Sequence, residues 1–444
     1  MVVKNGENLE FRPIHYLGSK LRILEEIKME IDILDSSNRR FVDLFSGSGT
    51  VSRYISQYRD VTAVDIQKYS KVICEALLCT NISNIDIDKC LEIIITNCEK
   101  KYKTLNMFDE LIEFETNAIN NASINNISDL YDIVDEGSII CASNSISYKN
   151  NSLGSMLLML NNILTNKTDD FMITRYFGGL YFSYKQAIMF DVLLNSIYSE
   201  DLPNDLQNYF LAILLSTCSE TVNTIGKQFA QPLKVYDKNG KFKMQLLKKI
   251  MNDRSIDVIK QFKNVASSYR NHARYRKDNA VLCMDYIDAI KQMKNHDIGI
   301  IYADPPYSRF HYSRYYHVLE TICLRDNPKI SLNVRGDKLS RGIYRKDRHQ
   351  SPFSIRSKAF GAFEELFANA SNIASPLILS YSPQGINNDG TQRLIQLNDI
   401  KELANRYYSD VRIVNIDKIN HSKLNNHDNI IKDNTTEEIL VICK

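Results

Sequence analysis

The densest chemistry in the chain lies at Asp304, Pro305, Pro306 and Tyr307, just beyond the apolar run Ile-Gly-Ile-Ile at 298–301. Proline cannot donate to a strand ladder, and two in succession leave the backbone little freedom. Such a corner offers a carboxylate, the Pro305 carbonyl and an aromatic ring in one preset arrangement at the carboxyl edge of a sheet, where ligands bind in open α/β folds. The set suits an exocyclic aryl amine, whose lone pair is delocalised into its ring. With both N–H bonds donated to the Asp304 carboxylate and the Pro305 carbonyl, the nitrogen is drawn toward tetrahedral geometry and can attack a sulfonium methyl in line. Positioning and preorganised acceptors would supply most of the acceleration. Tyr307 would stack on a purine, a contact worth roughly 1–3 kcal/mol per base in single-stranded systems. A base in a duplex would first have to be flipped out.

A second constellation runs from Asp43 to Thr50, Asp-Leu-Phe-Ser-Gly-Ser-Gly-Thr. Gly47 and Gly49 permit a tight turn and close backbone approach, and a following helix would offer unpaired N–H groups to negative charge. The dinucleotide fingerprint is incomplete, because Ser52 stands at the third glycine position. Asp65, 22 positions after Asp43, ends the next apolar run. A carboxylate there can accept hydrogen bonds from both hydroxyls of a ribose, which implies an adenosine-type cofactor. Upstream, the segment 15–20 adds Tyr16, Gly18 and Lys20, and Lys20 is placed to pair with a cofactor carboxylate.

The elements that must position these groups follow from periodicity. Buried strands are expected at 41–45, 61–65, 280–285, 298–304 and 376–382, with helices at 21–34, 50–58 and 68–78. This β-α-β-α rhythm is the mark of a largely parallel sheet covered by helices. Segments 411–416 and 438–444 are expected to pair antiparallel. Between them lies a helical middle, with helices at 88–100, 104–120, 183–199, 205–220 and 244–264. The fold class is therefore α/β, a Rossmann-like sheet built from 1–81 and 278–444 and interrupted by a helical insertion over 82–277.

Taken in order, Tyr-Leu-Gly-Ser-Lys at 16–20, Asp-Leu-Phe-Ser-Gly-Ser-Gly at 43–49, Asp65 and Asp-Pro-Pro-Tyr at 304–307 resemble the Dam-like (alpha-group) adenine-N6 DNA methyltransferases. The resemblance covers roughly 11–80 and 280–382. It implies S-adenosyl-L-methionine as cofactor, with Tyr16 and Lys20 facing its methionine part, Asp43, Phe45, Gly47 and Gly49 forming its pocket and Asp65 on its ribose. Asp285 and Tyr286 resemble the acidic–aromatic pair that flanks the cofactor adenine. The insertion is longer than in small members of that group and is expected to hold target recognition.

Nucleic acid would be held by cations. Residues 234–277 carry 13 Lys/Arg against 3 Asp/Glu, Arg274 and Arg276 among them, whereas the whole chain has a net charge of only +2. Such a zone favours anionic polymers and salt-sensitive affinity. Arg341, Arg345, Lys346 and Arg348 stand in a basic loop expected near the flipped nucleotide, and Arg309 and Arg314 are expected beside the target pocket. Lys227 and Gln228, with Asn223 and Gln231, have side chains able to read base edges.

Nine cysteines without a C-x-x-C pair argue against a zinc site or a disulfide framework, and no metal is expected. No stretch approaches the roughly 18 apolar residues of a membrane span, so a cytoplasmic, nucleoid-associated bacterial protein is expected. Double-stranded DNA is the expected partner, any cognate restriction endonuclease is expected on another chain, and monomer and dimer stay open. Cytosine-N4 and RNA adenine methylation remain alternatives, as does a non-catalytic nucleic-acid-binding scaffold. Cytosine-C5 transfer is disfavoured, since no Pro-Cys pair is present.

Overall fold

The apolar runs become strands buried on both faces, as a sheet covered by helices requires. The computed structural model describes residues 2–444 apart from 6–7, 125, 145–147, 166–169, 200, 295–296, 307–310, 384–393 and 417–437. Among the described residues, β1 (Val2–Asn5) and β2 (Asn8–Phe11) form an antiparallel pair. The main sheet comprises β3 (Arg40–Asp43), β4 (Val61–Asp65), β5 (Ala280–Cys283), β6 (Ile298–Ala303), β7 (Leu377–Tyr381), β8 (Val411–Ile416) and β9 (Glu438–Cys443). Its order is β5-β4-β3-β6-β7-β9-β8. The first five are parallel, and β9 runs antiparallel between β7 and β8. The chain winds outward in both directions from the β3–β6 junction, which makes that junction the topological switch point where α/β sheets bind ligands.

Alternation along the strands sorts side chains to two cores. Val42, Val64, Ile301, Ala303 and Leu379 pack with helices Tyr286–Gln292, Ala359–Ser371 and Leu397–Asn405. Phe41, Val61, Ile300, Tyr302 and Leu440 pack with Leu24–Leu34 and Thr50–Ile55 on the other face. A one-residue slip would exchange the two sets, so the pattern that buries the sheet also fixes its register.

The chain divides into two compact units: 1–81 with 271–313 and 349–444, and 82–270 with 314–348. The first contains the main sheet. The second is helical, its longest helices being Ile87–Tyr102, Tyr184–Ser199 and Asn204–Thr221. Residues 314–348, read from sequence with the sheet, group with the helical unit instead. The reason is buried packing: the His317 ring lies edge-on to Phe177 at 5.7 Å and to Tyr181 at 5.8 Å. The single helix expected over 244–264 is two, Leu247–Arg254 and Val258–His272. Asp257 begins the second by accepting the Lys260 N–H at 2.9 Å, the side-chain cap that favours a new helix start. Among the described residues, no helix is long and apolar enough to cross a membrane.

Candidate active site

The turn after β3 is tied to both neighbouring strands. The Leu44 N–H donates to Tyr302 O and the Ser46 N–H to Val64 O, each at 2.9 Å. Gly47 has φ +52°, and a β-carbon there would stand 2.5 Å from the Tyr16 ring, so only glycine lets the turn pass beneath that tyrosine. The Gly47 N–H donates to Asp65 Oδ2 at 2.9 Å and the Gln67 N–H to Oδ1 at 2.8 Å. Each carboxylate oxygen is thereby fixed, with lone pairs left for a ligand. Burial raises the Asp65 carboxyl above its ordinary range, against the pull of those two amides, the Ser70 hydroxyl and His349. Asp43 lies deeper. Its Oδ2 accepts from Ser52 Oγ at 2.7 Å, and burial pushes its carboxyl up to about 7. It shapes the turn from behind, as does Gly49, which opens helix Thr50–Ile55 with φ +73°.

Beside this turn lies a cleft open to solvent. Tyr16, Phe45, Asp65, Asp285, Tyr286, Asp304 and Pro306 all line it. Seven residues singled out from sequence thus meet at one cavity. Its aromatic wall is built from Phe45 and Tyr286, 5.1 Å between ring centroids, with Phe353 edge-on to Phe45 at 5.5 Å. Tyr286 Oη donates to Ala362 O at 3.3 Å, and Asp285 caps the helix that follows it by accepting the Ile287 N–H at 2.9 Å. His349 also lines the cleft, and burial lowers its pKa against the opposing charges of Asp285 and Asp65.

The diproline corner closes the cleft. Pro305 is buried and Asp304 mostly so, and the Asp304 carboxyl is raised by burial, opposed by the Lys20 ammonium and reinforced by Glu438. Tyr307 and Arg309 lie outside the described residues. Lys20, expected on the cofactor, has other partners: its Nζ stands 3.0 Å from Asp304 Oδ2 and 2.9 Å from Glu438 Oε1, and donates to Gly18 O at 3.3 Å. An ammonium has three N–H bonds, and these contacts account for three.

The cations expected on nucleic acid divide into internal and external groups. Arg345 is buried, with a bidentate pair to Asp326 at 2.7 and 2.6 Å and a contact to Asp347 at 3.1 Å. Lys227 donates to Asp253 at 2.8 Å and to the Glu220 and Val222 carbonyls at 2.9 and 3.0 Å, while Gln228 and Asn223 are buried. Arg345 and Lys227 are thus engaged by acids and carbonyls within the fold. Arg341 pairs with Asp135 at 2.9 Å, Arg276 with Asp60 at 2.9 Å, and Arg274 donates to the Ala273 carbonyl at 2.9 Å. The Arg348 guanidinium lies 5.0 Å from the Tyr344 ring centroid. Arg314 and Lys346 are exposed.

Sequence reasoning passed over Gln67, His349, Phe353 and Glu438. Gln67 could have been found from its place two residues after Asp65. His349 and Phe353 stand in or beside a loop read only for its cations, and Glu438 is 134 positions from Asp304 with no local signal.

Residues 16–375 match the family of D12 class N6 adenine-specific DNA methyltransferases, and the chain belongs to that family. The modification methylase LlaI of Lactococcus lactis subsp. lactis is 24% identical over 397 residues, 89% of this chain and 49% of the relative. The modification methylase StsI of Streptococcus sanguinis is 24% identical over 432 residues, 96% of this chain and 51% of the relative. The type II methyltransferase M.FokI of Planomicrobium okeanokoites is 23% identical over 385 residues, 84% and 45% of the two chains. The chain spans about half the length of these relatives.

Proposed function

We propose that this protein methylates the N6 amine of an adenine flipped out of double-stranded DNA, as the modification activity of a restriction–modification or orphan system. S-adenosylmethionine, the donor its family implies, supplies an electrophilic sulfonium methyl when bound. The cleft's donor set fits it: Asp65 with both oxygens fixed for a ribose diol, the Phe45–Tyr286 wall with Asp285 for the adenine, and Tyr16 for the methionine part. Asp304 and the Pro305 carbonyl would accept the two N–H bonds of the target amine and free its lone pair. An aspartate at 304, where cytosine-N4 enzymes more often carry serine, favours adenine. Target recognition falls to the helical unit, with Arg314 and Lys346 as exposed phosphate contacts, and any restriction endonuclease is a separate chain. The observation that carries the reading is that Asp65 and the diproline corner line one cleft.

The test is transfer of labelled methyl from S-adenosylmethionine to unmethylated genomic DNA, with calorimetric titration of the cofactor. Asp304→Ala is expected to bind cofactor within about threefold of the parent and to lose at least a hundredfold in transfer, the scale of removing one preorganised group. Unchanged transfer in the folded variant would remove Asp304 from the chemistry.

A further inference from the structure

Glu438 opens β9, beyond the residues that match the family, and is buried. Its Oε1 accepts from Ser380 Oγ on β7 at 2.9 Å and lies 2.9 Å from Lys20 Nζ. The same ammonium lies 3.0 Å from Asp304 Oδ2. One cation is therefore shared between two carboxylates, one at the diproline corner and one on a strand laid antiparallel beside β7. We infer that Glu438 is a positioning residue for methyl transfer: it holds Lys20 between the two carboxylates, so that Asp304 is oriented by the cation without surrendering its acceptor strength to it.

The physical case rests on charge. A lysine bound to Asp304 alone would draw electron density from the carboxylate that must accept the amine N–H, and would weaken it as an acceptor. Shared with Glu438, the same ammonium fixes the Oδ2 side of Asp304 while the local set keeps one net negative charge. The lysine contact is to Oδ2, and a carboxylate has a second oxygen to offer the cleft. Glu438 itself is anchored by the Ser380 hydroxyl, which ties its carboxylate to β7. Among the described residues, the other groups whose charge acts with that of Asp304 are Asp43, from the β3 turn, and Tyr302, two residues before it. Neither is a cation, so Lys20 carries the compensation among them.

This inference rests on the methyltransferase reading, and its test separates the two. Single-turnover methyl transfer to unmethylated genomic DNA is followed from pH 5 to 9 for the parent and for Glu438→Gln, with cofactor and DNA affinities measured in parallel. In Glu438→Gln the ammonium keeps only one of its two carboxylates, Asp304. The plateau rate is then expected to drop about tenfold, while both affinities stay within twofold. Losing a neighbouring negative charge lowers the Asp304 pKa, so the acid limb should move to lower pH by about one unit, the lower end of what a near charge does. A merely structural defect would lower the rate without that shift, and a parental rate and limb would overturn the inference outright. Should Glu438→Gln fail to fold, Ser380→Ala withdraws the anchoring donor and keeps both charges; a lowered plateau rate with the acid limb unmoved and both affinities within twofold supports the inference, and an unchanged rate contradicts it. A parent that labels DNA while both variants match it overturns only the role of Glu438. A parent that labels no DNA overturns the proposed function, and this inference with it.

Discussion

Asp43, Asp65 and Asp304 stand near one another at the switch point of the sheet, and burial raises all three carboxyls. They differ in what offsets that cost: a serine hydroxyl for Asp43, two backbone amides for Asp65, and a shared lysine for Asp304. The differences assign roles, since only Asp65 and Asp304 line the cleft. Asp43 offers a test by pH. Its folded-state pKa of about 7 lies above its ordinary 3.8, so between those values the folded protein holds a proton that the unfolded chain has lost. Stability from this group is fully present below the unfolded pKa and is lost as pH rises through the folded one. Asp43→Asn cannot ionise. Its stability relative to the parent should therefore improve by at least about 1 kcal/mol between pH 5 and pH 8, one pKa unit being worth about 1.4 kcal/mol. Urea unfolding at the two pH values measures this, and a pH-independent difference would contradict the assignment.

At the scale of elements, the sheet depends on a buried ion pair at its amino edge. Arg59 Nη1 donates to Asp35 Oδ2 at 2.7 Å and its Nη2 to the Asp35 carbonyl at 3.0 Å, both side chains being almost fully buried. Gly299 of β6 lies against the Asp35 carboxylate, where a β-carbon would collide with it. Asp35→Ala strands a guanidinium in the interior and should cost about 3–5 kcal/mol of stability, measured by denaturant titration. A loss under 1 kcal/mol would mean that the pair is not held as described. Neither Asp35 nor Arg59 announces itself in the sequence, because an ion pair between positions 24 apart has no periodicity. What was readable there was local. Apolar runs gave the strands β3, β4, β6 and β7 within a residue or two, and helical spacing gave Lys68–Leu78. The antiparallel partnership of β8 with β9 was also readable, but the insertion of β9 beside β7 was not, and it is this that brings Glu438 to Lys20. Strand order is set by contacts between distant segments, for which a single sequence carries no signal.

For the molecule as a whole, charge behaves differently in the fold than in the chain. The basic zone at 234–277 is partly neutralised within its own unit: Lys263 pairs with Glu92 at 2.9 Å, and Arg270 with Asp88 at 2.5 Å. Counting cations along the sequence therefore overstates the phosphate contacts. Arg345 and Lys346 are neighbours that make the point testable. Lys346→Ala should lower DNA affinity and reduce the salt slope of log K by about 0.9, the value of one phosphate contact. Arg345→Ala should leave that slope unchanged and lower stability, because it abandons Asp326 and Asp347. DNA binding titrated between 50 and 200 mM salt, with a denaturation curve for each variant, distinguishes them; a reduced slope for Arg345→Ala would place that residue on DNA after all. If one cleft joins a methyl-donor site at Asp65 to an amine-accepting corner at Asp304, the protein should label a single kind of nucleoside. Nucleoside mass spectrometry of DNA incubated with the purified protein and isotopically labelled S-adenosylmethionine decides this. Labelled N6-methyl-2′-deoxyadenosine and no other labelled base is the expected result; labelled N4-methylcytosine, or no labelled nucleoside at all, would overturn the proposed function.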